Sequence, residues 1–214
     1  MRDEGADLRV VHVDDDLIVV DKPPGLLCVP GRGALAFDAL SLRVQARWPD
    51  ARVVHRLDMA TSGLVLMARG TAVQRQLNHA FAQRRVDKRY LALVSGVMTG
   101  DTGAIELPLA ADWERRPAQA VNLLRGKPAL THYTVRARDP HAQTTRVELR
   151  PVTGRTHQLR VHLCAIGHAI VGDALYGSAP GATPAARLML HASRLRFVHP
   201  SRDQVFEVES AVPF

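Results

Sequence analysis

The sequence predicts an α+β fold, and two observations carry that prediction. Short apolar runs come in pairs around turn residues, the signature of antiparallel hairpins: Val10–Val13 with Leu17–Val20 around three aspartates, and Thr131–Ala137 with Thr144–Arg150 around Asp139-Pro140. Between them lie stretches of helical period, at Phe37, Leu40, Val44 and Trp48, at Val73, Leu77 and Phe81, and at Leu159, Leu163 and Ile166. At 214 residues the chain is long enough to bury a proper core. No repeat or low-complexity linker interrupts it, so one continuous domain over 1–214 is expected.

Composition narrows the function classes. Hydrophobic residues make up 46% and charged residues 23%, as in a soluble globular protein. No apolar run approaches the ~20 residues of a membrane helix. The N-terminus carries acids and lacks the apolar stretch of a signal peptide. Cys28 and Cys164 are far apart in apolar company, which reads as two buried free thiols and a reducing, cytoplasmic setting. The net charge is +7, carried by 25 arginines and only three lysines. A polyanionic partner follows from that charge. Arginine binds phosphate as a fork and stacks on bases, which suits RNA. A G+C-rich genome accounts for part of the arginine excess but not for the net charge.

In chain order, Pro23 should end the second strand, and Gly31-Arg32-Gly33 is a loop rather than a phosphate cradle. The first helix ends at Pro49, with Trp48 expected in the core. Thr71 is placed as the N-cap of the second helix. The arginines at its end, Arg84 and Arg85, answer the helix dipole or hold phosphates. A strand from Lys88 to Val94 follows, then a short one from Ile105 to Leu109. Asp112–Pro117 has no regular period. Its Trp113 either stacks on an unpaired base or, on the simpler reading, folds back onto the sheet. In the third helix Arg160 projects about a quarter turn from the apolar stripe, at the boundary face. Histidines 157, 162 and 168 lack the cysteine or carboxylate partners of a zinc site, so no metal is expected. No P-loop or dinucleotide fingerprint is present.

The most informative stretch is His55-Arg56-Leu57-Asp58-Met59-Ala60-Thr61-Ser62-Gly63, a polar loop between two apolar strands. Taken alone, Asp58 beside Arg56 is a surface ion pair closing a hairpin. The whole string resembles the central motif of the RluA-type pseudouridine synthases, HRLD-x-x-TSG. Two further segments are similar to that family's other motifs: Lys88-Arg89-Tyr90, and Gly154-Arg155-Thr156-His157-Gln158-Leu159-Arg160-Val161-His162. Asp21-Lys22-Pro23, Gly172-Asp173 and Tyr176-Gly177 also match. Asp112-Trp113, Arg116-Pro117 and Gly126-Lys127-Pro128 resemble the RluA branch in particular.

The resemblance runs from about Leu8 to the C-terminus. It implies a pseudouridine synthase fold, with a mixed, mostly antiparallel sheet, flanking helices and a central active-site cleft. It also implies isomerisation of uridine to pseudouridine in RNA, without a cofactor. Asp58 is then catalytic, as nucleophile at the sugar or as base towards it. Arg160 pairs with it, and Tyr90 lines the uracil pocket. His55, Arg56, Lys88, Arg89 and Arg155 fall to RNA and substrate binding, with Arg56 filling the stack that a flipped uridine vacates. The implied partner is a stem-loop of ribosomal RNA, transfer RNA or both, bound by a monomer with no appended N-terminal RNA-binding domain. A silent RNA-binding protein of the same fold would lack the Asp58, Tyr90 and Arg160 set. A glycoside hydrolase would want a second carboxylate beside Asp58, and the motifs hold none.

Overall fold

The computed structural model describes residues 8–31, 38–177 and 185–214, which form two compact units. The first comprises the chain up to Asp87 together with Ala192–Val212, and the second Lys88–His191 with the last two residues. The predicted Gly31-Arg32-Gly33 loop beyond its first residue, the start of the first helical stretch at Phe37 and most of the loop from Ser178 lie outside the described residues.

In the first unit β1 (Val10–Val13), β2 (Leu17–Lys22), β4 (Ser62–Arg69) and β11 (Leu190–Val198) lie side by side, with β3 (Ala51–Val53) on β4 and β12 (Val205–Glu209) on β11. The pairs β1–β2, β2–β4, β3–β4 and β11–β12 are antiparallel. Every residue of β2 is buried, and all of β4 but its last. Their continuous apolar runs are those of strands covered on both faces. At the edges β1 and β12 alternate between half-buried and exposed positions. The β1–β2 turn is made by Asp14, whose Oδ1 accepts the amides of Asp16 and Leu17 at 2.9 and 2.8 Å. Pro23 stops β2 as expected.

Helix α1 (Leu40–Arg47) closes before Pro49, and α2 (Gly70–Ala82) lays Val73, Leu77 and Phe81 on the core around Leu17, Leu64, Leu66 and Leu195. Two expectations fail here. Trp48 is only half-buried and lies under the Arg47 guanidinium, 4.6 Å from its ring centre, because α1 ends before turning it inward. Thr71 is not the N-cap of α2. The helix begins at Gly70, whose amide is taken by the Asp50 carbonyl at 2.9 Å, and the residue at the cap is Arg69.

In the second unit β5 (Asp87–Ser95), β10 (Thr144–Pro151), β9 (Leu130–Asp139) and β6 (Thr102–Glu106) form an antiparallel series. The strand expected over 105–109 is two strands. Pro108 cannot extend a ladder, so β6 ends at Glu106 and β7 (Leu109–Ala111) starts a separate hairpin with β8 (Gln119–Val121). Helix α3 (Gln158–Ala165) is buried at every position from Gln158 to Leu163. The expected amphipathic stripe is therefore only half right: Leu159 and Leu163 are inside, Ile166 is exposed, and the "boundary" residue Arg160 is buried. Both cysteines are free, Cys28 buried and Cys164 half-buried. Among the described residues no helix is long and apolar enough to cross a membrane.

Candidate active site

The Asp58 loop joins β3 to β4 and is held from below on both sides of the carboxylate. The Leu57 amide donates to Cys28 Sγ at 3.2 Å. The Met59 carbonyl accepts from Lys22 Nζ at 2.9 Å and from the Gly25 amide at 2.8 Å. Lys22 is fully buried, and its ammonium also donates to the Pro23 and Leu26 carbonyls at 2.8 and 2.9 Å. Three carbonyl oxygens thus solvate a cation that water cannot reach. Burial raises the pKa of the Cys28 thiol, which stays a neutral acceptor. Between these ties Asp58 is half-buried, and Arg56 is exposed.

His55 is a strut of the same loop. Its Nε2 accepts the Leu66 amide at 2.9 Å, and its ring stacks on Phe81 with centroids 4.8 Å apart. Its place in the fold is thus structural: the ring braces the loop against β4 and α2. At the other end Gly63 adopts φ +111°, and a Cβ there would lie 2.3 Å from the Ala192 carbonyl oxygen. Only glycine fits that position.

In the second unit the Lys88-Arg89-Tyr90 segment opens β5. Successive strand residues face opposite ways, so Lys88 and Tyr90 share one side and Arg89 takes the other. Arg89 Nη1 donates to Glu148 Oε1 at 2.8 Å, and Arg136 takes the second oxygen at 2.8 Å. Lys88 Nζ lies 3.9 Å from where a side chain on Gly154 would begin, next to the exposed Arg155. Tyr90 is half-buried opposite Leu149 of β10.

The turn into α3 is organised by Gln158. Its Oε1 accepts from Thr153 Oγ1 and the Arg155 amide, and its Nε2 donates to the Leu130 carbonyl and Thr131 Oγ1, all within 2.8–3.0 Å. Arg155 Nε donates to the Pro128 carbonyl at 3.1 Å. One turn on, Arg160 is 4% exposed, and its Nε and Nη2 donate to the two oxygens of Asp173, both at 2.7 Å. Asp173 Oδ1 also accepts the amides of Leu175 and Tyr176 at 2.9 and 3.1 Å. The Arg160 guanidinium sits over the Tyr176 ring, 5.1 Å from its centre. The three histidines considered for metal bond elsewhere: His157 to Tyr176 Oη, His162 to Thr131 Oγ1 and the Leu107 carbonyl, and His168 to the Ser95 carbonyl.

Asp58 thus sits on a loop whose backbone is tied on both sides, Tyr90 on β5 of the second unit, and Arg160 in a buried two-bond pair with Asp173. Comparison with known proteins supplies the family. A family profile described as RNA pseudouridylate synthase matches residues 16–165. This chain belongs to that family.

Among pseudouridine synthases it is 47% identical over 193 residues to the dual-specificity RNA pseudouridine synthase RluA of Pasteurella multocida, covering 90% of this chain and 88% of the relative. It is 46% identical to RluA of Escherichia coli K12 over 194 residues, with 91% and 88% covered. Human RNA Pseudouridylate Synthase Domain Containing 1 superposes with a TM-score of 0.81 at 34% identity, over 97% of this chain and 84% of that one. The α+β architecture with its largely antiparallel sheet is thus that of the pseudouridine synthases, and the protein is an isomerase acting on RNA. Sequence reasoning gave no role to four residues of this synthase: Lys22, Cys28, Asp173 and Tyr176. Each lies in or beside a stretch matched to the family, but a matched residue does not name its partner.

Proposed function

We propose that Asp58, Tyr90 and Arg160 act on one uridine flipped from a structured RNA, and that the targets are stem-loops of large-subunit ribosomal RNA and of a transfer RNA anticodon arm. The N1–C1′ bond breaks, the uracil turns over, and C5 bonds to C1′. The proton lost from C5 is balanced by one gained at N1, so the reaction needs no redox partner or group donor. Asp58 supplies its carboxylate at the sugar, Tyr90 packs on the uracil, and Arg160 positions the carboxylate. Arg56, exposed beside Asp58, fills the vacated stack with its planar guanidinium. Lys88 and Arg155, with His55 and Arg89 as supports, meet the backbone. The protein works as a monomer in the cytoplasm, as one catalytic domain.

The observation that carries this reading is the Asp58 loop, tied at Leu57 and Met59 so that the backbone bearing the carboxylate is held on both sides. Such pre-organisation is what positions a reacting group. The two-target reading is supported by the identity to relatives named dual-specificity enzymes. Asp58→Asn is expected to abolish pseudouridine formation, followed by tritium release or mass spectrometry, while RNA binding persists. Activity retained in that variant would sink the assignment. Mapping pseudouridines in total RNA with and without the protein identifies the targets.

A further inference from the structure

We propose that Trp113, backed by Arg116, is a stacking platform for an unpaired base of the RNA beside the target uridine. This rests on the reading of the protein as an enzyme for structured RNA and adds a contact to it.

Of the two readings of Trp113, a base stack or a fold back onto the sheet, the simpler second one fails. Trp113 is 71% exposed, at the turn between β7 and β8. The Arg116 guanidinium lies 3.5 Å from its ring centre. A large aromatic held in water by one cation gains no core packing, so burial does not explain its place. In a protein of net charge +7 whose substrate is RNA, an open indole next to arginines has the chemistry of a base-stacking surface. Arg115 supplies a second cation, its side chain 76% exposed and tied to Asp112 Oδ2 at 2.8 Å.

The turn is rigid. The Asp112 amide donates to the Ala118 carbonyl at 3.0 Å, and the Ala118 amide to the Arg115 carbonyl at 2.8 Å. It is also mounted on the arginine site. The Gln119 amide donates to Tyr176 Oη at 2.8 Å, and the same ring carries the Arg160 guanidinium. Leu109 and Val121 of the hairpin pack with Val161 of α3 and with Tyr176. One tyrosine therefore fixes both the hairpin that bears Trp113 and the arginine assigned to the reaction. A nucleotide stacked on Trp113 is held in a set register to Arg160, the arrangement that distinguishes one loop from another.

Trp48 is the only other tryptophan, so Trp48→Phe leaves Trp113 as the sole indole reporter. In that background a stem-loop RNA is expected to quench the fluorescence, and a fully paired duplex of equal length is not. Trp113→Ala is expected to raise the stem-loop Kd and KM about tenfold, within the range of one base–aromatic stack. Because the contact serves binding rather than the bond changes, kcat should move less than about twofold. Trp113→Phe should recover most of the loss. Equal quenching by duplex and stem-loop would mean docking by charge alone and would overturn the platform. So would pseudouridine formation with unchanged fluorescence and an unaltered KM in Trp113→Ala. Wild-type protein that modifies no RNA would overturn the reading beneath it as well, which separates the two failures.

Discussion

Arg160 grips Asp173 through two parallel hydrogen bonds of 2.7 Å, with both side chains at most 5% exposed. The fork fixes the plane of the guanidinium, and the Leu175 and Tyr176 amides fix the carboxylate in turn. Asp173 is therefore a positioning residue for the arginine assigned to the reaction. Asp173→Ala removes a two-bond carboxylate partner from a buried guanidinium, a loss of up to about 3–5 kcal/mol when one member of a buried pair is removed. A double variant, Arg160→Met with Asp173→Leu, is expected to recover stability while remaining inactive. Denaturant midpoints and pseudouridine yield on Arg160→Met, Asp173→Leu and the double variant test this. Strictly additive stabilities would contradict the coupling.

Lys22 makes the second prediction. Its ammonium bridges the Pro23, Leu26 and Met59 carbonyls with no exposure to water. Lys22→Met keeps the stem but strands three acceptors, at about 1–3 kcal/mol for each buried group left unsatisfied. The thermal midpoint should fall, and kcat should fall by more than RNA affinity because Met59 adjoins Asp58. Lys22→Arg is no substitute, since a flat fork does not meet three carbonyls arranged around a point charge. A variant with normal kcat would separate the clamp from catalysis.

Strand and helix positions followed from period and turn chemistry, because hairpins such as Val10–Val20 are decided by neighbours in the chain. The Asp58 loop was legible because its motif is contiguous. Arg160's place was legible as a motif position, but its burial was not. A quarter turn from an apolar stripe reads as a boundary face only when the helix lies on a surface, and α3 is covered all round. The Arg160–Asp173 pair spans thirteen residues and the Lys22–Met59 bond thirty-seven. Neither leaves a periodic trace. The Arg89–Glu148 bond spans fifty-nine residues and was equally invisible, since nothing in the motif names the partner on the neighbouring strand.

Gly63 tests the packing behind the motif. At φ +111° and 2.3 Å from a backbone oxygen, an added Cβ meets both conformational strain and a collision that cannot be relieved by a side-chain rotation. Gly63→Ala is expected to destabilise by several times the ~1 kcal/mol typical of point variants, and to yield little soluble protein. A variant with wild-type thermal midpoint would show that β4 and β11 can shift apart locally. Gly154→Ala is the control, since its nearest neighbour is a lysine tip at 3.9 Å.

His162 gives the pH prediction. It is fully buried, with Nε2 against the Leu107 carbonyl and Nδ1 against Thr131 Oγ1, each at 3.0 Å. A carbonyl only accepts, so Nε2 carries the proton and the threonine hydroxyl donates to Nδ1. That hydroxyl in turn accepts from Gln158 Nε2, the residue that shapes the turn into α3. Burial pushes the imidazole pKa below its ordinary value, against a smaller upward pull from the Leu107 carbonyl. The unfolded chain takes up a proton near pH ~6.5 and the folded chain only at lower pH. Between those values the unfolded state binds more protons, so stability falls as pH drops below about 6.5. Asp14 adds a loss further into acid: its two histidine partners and two amides hold its carboxyl below the usual carboxylate range despite an opposing desolvation effect, so its contribution is lost as pH falls below about 4. Urea midpoints from pH 8 to 5.5 should decline for the wild type and decline less for His162→Gln, whose neutral amide does not titrate. Parallel curves for the two proteins would show that His162 takes its proton as readily in the fold as in the unfolded chain.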